Sequence, residues 1–106
     1  MIEVESDIPK TEINRKIYSC IERSLNSLGE TMKHALLWHI ERTCNISREN
    51  FVEKPDQFTA ALEKIFGGAA EILEKMIVDE IRKSFGIRED VYDLVTVINI
   101  VKKRNP

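Results

Sequence analysis

The sequence predicts an all-α protein, a compact bundle of about five helices with short connections. Three observations predict it. Apolar residues recur at three- and four-residue spacing over most of the chain. Polar helix starts and glycine stops punctuate that recurrence. The single stretch rich in β-branched residues has no second strand to pair with, and a lone strand would leave its backbone groups unbonded.

Ile8-Pro9 opens the first helix, in which Ile13, Ile17, Cys20 or Ile21, and Leu25 recur on one side. "SLGE", Ser27 to Glu30, has the form of a capping box and marks a second helix running to about Cys44. Its expected apolar stripe is Leu28, Met32, Ala35 or Leu36, and Thr43, with His39 beside it. Asn45 to Ser47 interrupts the pattern, and Ser47 caps a short turn through Phe51. After "EKPD", Asp56 is the expected N-cap of "QFTAALEKIF", which stops at Gly67-Gly68.

"AAEILEKMIVDEIRKSF" is the best amphipathic stretch, with Ile72, Met76, Ile77, Glu80 or Ile81, and Phe85 along one side. Glu71 with Lys75 and Asp79 with Lys83 are acid-before-base pairs one turn apart, and Gly86 ends the helix. The last helix is placed at about residues 90–102, capped by Asp90, with Val91, Leu94, Val95, Ile98 and Val101 as its stripe. At 106 residues the whole chain, 1–106, is expected to be one helical domain.

Composition narrows the function classes. An apolar fraction of 42% with 32% charged residues suits a folded domain in water rather than a disordered or membrane chain. No apolar run approaches the roughly 20 residues needed to span a bilayer. The acidic start "MIEVESDIPK" is unlike a secretory signal, so a cytoplasmic location is expected. Abundant isoleucine, glutamate and lysine beside a single glutamine lean toward a thermophilic source, a bias that a skewed genome composition would equally give. Cys20 and Cys44 lie at distances from the turn near Asn26 that differ by about ten residues, roughly 15 Å along antiparallel helices. A disulfide needs Cα atoms within about 7 Å, so reduced, buried thiols are expected.

"HALLWHIERTC", residues 34 to 44, gathers both histidines, the only tryptophan and one cysteine. His34 and His39 are five residues apart and point about 140° away from each other on a helix. Zinc held from one helix uses three- or four-residue spacing, so the cluster reads as part of a helix and not as a metal site. No serine elbow, phosphate loop or convergent acid pair is present. The expectation is therefore a protein that is not an enzyme, with no catalytic residues, no cofactor and no small-molecule ligand.

Two surface features bear on partners. The last helix is apolar over more than half its circumference, because Val97 and Ile100 lie off the main stripe. Either it runs through the centre of the fold, or Val97, Ile100 and Val101 meet a partner, most simply a second copy of the chain. Lys102, Lys103 and Arg104 then offset the helix dipole and are the candidate nucleic-acid contacts. The net charge of −2 disfavours nucleic acid as the main partner.

From Leu25 to about Ile81 the chain resembles the archaeal Nitrosopumilus output domain family. The similarity lies in the order of short motifs: Leu28-Gly29-Glu30, then "WHIE" from Trp38, "ISRE" from Ile46, the Lys54-Pro55 break, and "ALEKIFG" from Ala61. The resemblance implies an archaeal, cytoplasmic, all-α domain of the kind that forms the output part of signalling proteins. It carries over no catalytic or ligand residue. The resulting expectation is a non-enzymatic protein-interaction module, a signalling output domain or adaptor, that forms a homodimer. The alternative is a transcription-associated DNA-binding domain.

Overall fold

Thr11 starts the first helix: its hydroxyl accepts the Asn14 backbone N–H at 3.1 Å, and α1 runs from Glu12 to Leu25. The structure, a computed structural model, describes residues 11–105, so the expected opening at Ile8-Pro9 lies outside the described residues. Five more helices follow among them: α2 (Glu30–Arg42), α3 (Arg48–Glu53), α4 (Pro55–Phe66), α5 (Ala70–Phe85) and α6 (Leu94–Arg104). They confirm the all-α class, with α3 in place of the expected turn.

Several helix ends differ from the sequence expectation, each for a local reason. Ser27 is not a cap. Its hydroxyl donates to the Ser24 carbonyl at 2.6 Å within a 3₁₀ turn, Asn26–Leu28, that continues from α1. The N-cap of α2 is Gly29, whose φ of +89° admits a direction that a side chain would resist. Ser47 does cap α3, accepting the Asn50 N–H. Pro55 and not Gln57 begins α4, because proline needs no N–H partner in a first turn; Lys54 is the cap and Asp56 lies inside that turn. Gly86 ends α5 in the left-handed conformation, φ +65°.

The cap of α6 is Asp93, not Asp90. Its carboxylate accepts the Thr96 N–H at 2.9 Å, and Glu74 of α5 accepts the Leu94 N–H at 2.8 Å. The chain must therefore return from Gly86 to the level of Glu74, about 18 Å along α5. Eight residues reach that far when extended, at ~3.3 Å each, but not when helical. Segment 87–93 is accordingly non-helical, pinned by the buried side chains of Ile87 and Val91.

α5 is the central strut, packed against α1, α4 and α6, while α3 bridges α1 and α4. The core joins Ile17, Ile21 and Leu25 of α1 to Ile77 and Ile81 of α5 and to Leu94, Val97 and Ile98 of α6. Phe51 and Phe58, both fully buried, stack within it with ring centroids 4.4 Å apart. α2 is held differently. Its closest backbone packing is against the turn before it, and it enters the core through Leu36, Leu37 and Ile40.

Two apolar stripes are rotated from where periodicity put them. On α5 the buried residues are Leu73, Ile77, Val78 and Ile81, leaving Ile72 and Met76 exposed. On α2, Met32, Ala35 and Thr43 are exposed. Neighbouring stripes on these helices are both apolar, so only the positions of the packing partners choose between them. The carboxylates of α5 likewise look outward to other elements: Glu80 pairs with Arg23 of α1 at 2.9 Å, and Glu74 serves α6.

Candidate functional site

The α2 cluster is a solvent-facing helix surface. His34 Nε2 lies 3.5 Å from Glu30, both exposed, and His39 is exposed on a neighbouring strip. Trp38 is 59% exposed, and the Arg42 guanidinium lies over its ring at 5.6 Å. Among the described residues no three histidine, cysteine, aspartate or glutamate side chains converge into a group able to hold a metal ion. Cys20 and Cys44 are free thiols. Cys20 is buried, which pushes its thiol up from the ordinary value; Cys44 is only half-buried, at the end of a surface cleft.

α6 resolves the choice left open by its broad apolar face. Val97 is 0% exposed and Val101 1%, so both belong to the core of a single copy and are not an exposed interface. The helix runs between α4 and α5, and a helix covered on two sides needs two apolar faces. Ile100 is partly buried against the same core. The basic end is largely occupied as well. Lys102 Nζ lies 3.1 Å from Glu53, and Arg104 pairs with Glu89, leaving Lys103 exposed.

A polar network ties the N-terminal half to α6. Asn14, 3% exposed, donates from its side-chain amide to Glu49 at 3.2 Å and to Glu53 at 2.5 Å. The Asn14 hydrogen bond, and after it the one from Lys102, hold the Glu53 carboxyl below its ordinary range. Nearby, burial pushes the Tyr18 phenol up to about 12, opposed by the adjacent Arg48 guanidinium. Among the described residues the polar group beside the Tyr18 hydroxyl is the Arg48 guanidinium, without a well-formed hydrogen bond. These groups brace helices; they do not open into a cleft.

One cleft of about 340 Å³ lies between α1 and the end of α5, beside Cys20, and three others lie in a row. One of about 620 Å³ separates the end of α2 from α4, one of about 280 Å³ separates α4 from α5, and one of about 530 Å³ lies between α5 and segment 90–96. Ala60 and Glu63 line both the first and the second, and Glu71 and Glu74 both the second and the third. The three therefore adjoin in a row, a furrow divided by the side chains that neighbouring clefts share. Its far end carries Ile72, 68% exposed, and Tyr92, 64% exposed.

The furrow is acidic. Asp56, Glu63, Glu71, Glu74, Asp90 and Asp93 face two lysines, Lys64 and Lys75, for a net of −4. The whole chain carries −2, so the remainder of the molecule is net +2. Asp56, Glu63, Glu71 and Asp90 have no cationic partner among the described residues, whereas Glu41, Glu53, Glu80 and Glu89 each have one. Sequence reasoning missed this surface because its residues come from three helices and a loop. The available signal was Ile72, one of more apolar residues on α5 than a single buried stripe can hold.

Comparison with known proteins extends the resemblance seen in the sequence. The family model described as Nitrosopumilus output domain 5 matches residues 12–103, taking in α1 and almost all of α6 as well as the Leu25–Ile81 stretch. No curated protein and no solved structure matches the chain.

Proposed function

We propose, on the premise that this chain belongs to the Nitrosopumilus output domain 5 family, that it is a non-enzymatic interaction module of the cytoplasm, a signalling output domain or adaptor that self-associates. The observation that carries this reading is the exposure of large apolar side chains by a fold whose core is already closed. Met32, Trp38, Ile72 and Tyr92 are each more than half exposed, while 25 apolar residues are buried without them. Isolated exposed apolar residues are ordinary on protein surfaces. A tryptophan with an arginine over it, and a tyrosine beside an isoleucine, are the residue types that anchor interfaces.

The DNA-binding alternative ranks below this reading, because Lys102 and Arg104 each serve an internal carboxylate. The deciding experiment is molar mass by light scattering coupled to size exclusion, from low micromolar to millimolar protein. A mass that rises to an integral multiple of 12.3 kDa supports self-association. A constant monomer mass over that range rejects it and directs the search to heterologous partners.

A further inference from the structure

We propose that α2 is a detachable cover: it lifts from the core and melts as one unit, between Gly29 and Asn45, while α1 and α3–α6 stay folded. Such opening is a property of the single chain and is independent of self-association. Three observations carry it.

The first is how little of α2 is seated. It buries three of its 13 residues, the smallest share of the six helices; α1 buries seven of 14 and α5 five of 16. All three, Leu36, Leu37 and Ile40, lie in its C-terminal half. Residues 30–35 bury no side chain, and their one cross-element tie among the described residues is Lys33 to Asn26 at 2.7 Å, an exposed bond to the preceding turn.

The second is the polar character of the junction. Arg48 of α3 reaches both neighbours there: its Nε lies 3.4 Å from Glu41 of α2, and its guanidinium adjoins the Tyr18 hydroxyl of α1. Tyr18 Oη and Arg48 Nε are fully buried, and neither makes a well-formed hydrogen bond among the described residues. Buried polar groups left in that condition destabilise the closed arrangement, and opening lets water satisfy them.

The third is the backbone at the two ends. Gly29 has φ +89°, and Asn45 has φ +58°, alone among the described non-glycine residues in being positive. Both interrupt helical hydrogen bonding, so α2 can lose its structure without propagating the loss into α1 or α3. A helix of 13 residues is marginal in water once its packing is gone, so a lifted α2 melts. Opening bares the part of the core that Leu36, Leu37 and Ile40 close, and a partner that binds the open form shifts the population toward it.

The test is native-state hydrogen exchange of the full chain, followed by NMR in low urea at a fixed protein concentration. The amides of residues 34–42 are expected to exchange together, at least about a hundredfold less protected than the slowest amides of α1 and α5, and with a weaker urea dependence. Val97→Ala, which destabilises the core through α6, should accelerate the α5 amides and leave those of α2 unmoved. Exchange of α2 at the rate and urea dependence of α5 would show that it leaves only when the whole chain unfolds, and would overturn the proposal. It is equally overturned if residues 36–40 are as protected as α5 while 30–35 exchange freely, since that is fraying from one end. Acceleration of α2 in step with α5 in the Val97→Ala variant would overturn it as well.

Discussion

The Asn14 side-chain amide and the Glu53 carboxylate meet at 2.5 Å across 39 residues of chain, joining the first turn of α1 to the end of α3. Asn14 is buried, while the Glu53 carboxylate that accepts from it is exposed. Asn14→Ala is expected to cost about 1–2 kcal/mol, the usual cost of a lost hydrogen bond at a buried site. Asn14→Asp should cost more, since it sets a third carboxyl beside Glu49 and Glu53. Urea unfolding measures both; an Asn14→Asp variant as stable as wild type would show that the three groups do not face one another.

Acid should weaken the same junction. The folded-state pKa of Glu53 is depressed by Asn14 first and Lys102 second. Its stabilisation is therefore complete above the unfolded value of about 4.3 and disappears as pH falls through the lower folded value. Removing one donor with Lys102→Met should move the Glu53 titration, followed by carboxyl NMR, upward toward its ordinary range. An unmoved titration would mean that this half-exposed ion pair is absent in solution.

Tyr18 predicts the opposite limb. Its phenol is pushed up to about 12, so stability is full below the unfolded value of about 10 and declines as pH rises between the two. Tyr18→Phe should remove that alkaline decline. It should also leave stability near neutral pH unchanged or higher by up to about 1 kcal/mol, because among the described residues the buried hydroxyl it deletes makes no well-formed hydrogen bond. A loss of stability near neutral pH would reveal a partner for that hydroxyl.

Val97 and Ile100 were equivalent in the sequence and are not equivalent in the fold. Val97→Ala should cost about 2 kcal/mol through lost burial and a cavity, and Ile100→Ala distinctly less per methyl group removed. Neither change should alter the molar mass of a folded sample. A Val97→Ala variant of native stability but changed assembly would return α6 to the role of an interface.

The start of α6 can be located by two alanine substitutions. Asp93→Ala removes the cap of the Thr96 N–H and should cost about 0.5–2 kcal/mol. Asp90→Ala, in the exposed approach to the helix, should stay within about 0.5 kcal/mol of wild type. Thermal melts that rank the two the other way would place the helix start three residues earlier.

The sequence by itself determined the helical class, the first helix with its stripe of Ile13, Ile17, Cys20, Ile21 and Leu25, the cap at Ser47 and the stop at Gly86. These are local matters, governed by side-chain spacing and by which residues tolerate a given backbone turn. Family membership was legible for the same reason, as an order of short motifs, and it proved to cover residues 12–103. What only the tertiary structure decided was which of two adjacent apolar stripes faces inward. Ile72 and Met76 lost that place to Leu73 and Val78, and Val97 gained it, because packing partners on other helices set the choice. The cap at Asp93 was decided by the distance the chain must travel back along α5 to reach Glu74. The acidic furrow is likewise a tertiary product: its carboxylates come in pairs from three separated stretches of chain, and only the packing of α4, α5 and segment 90–96 sets those pairs side by side.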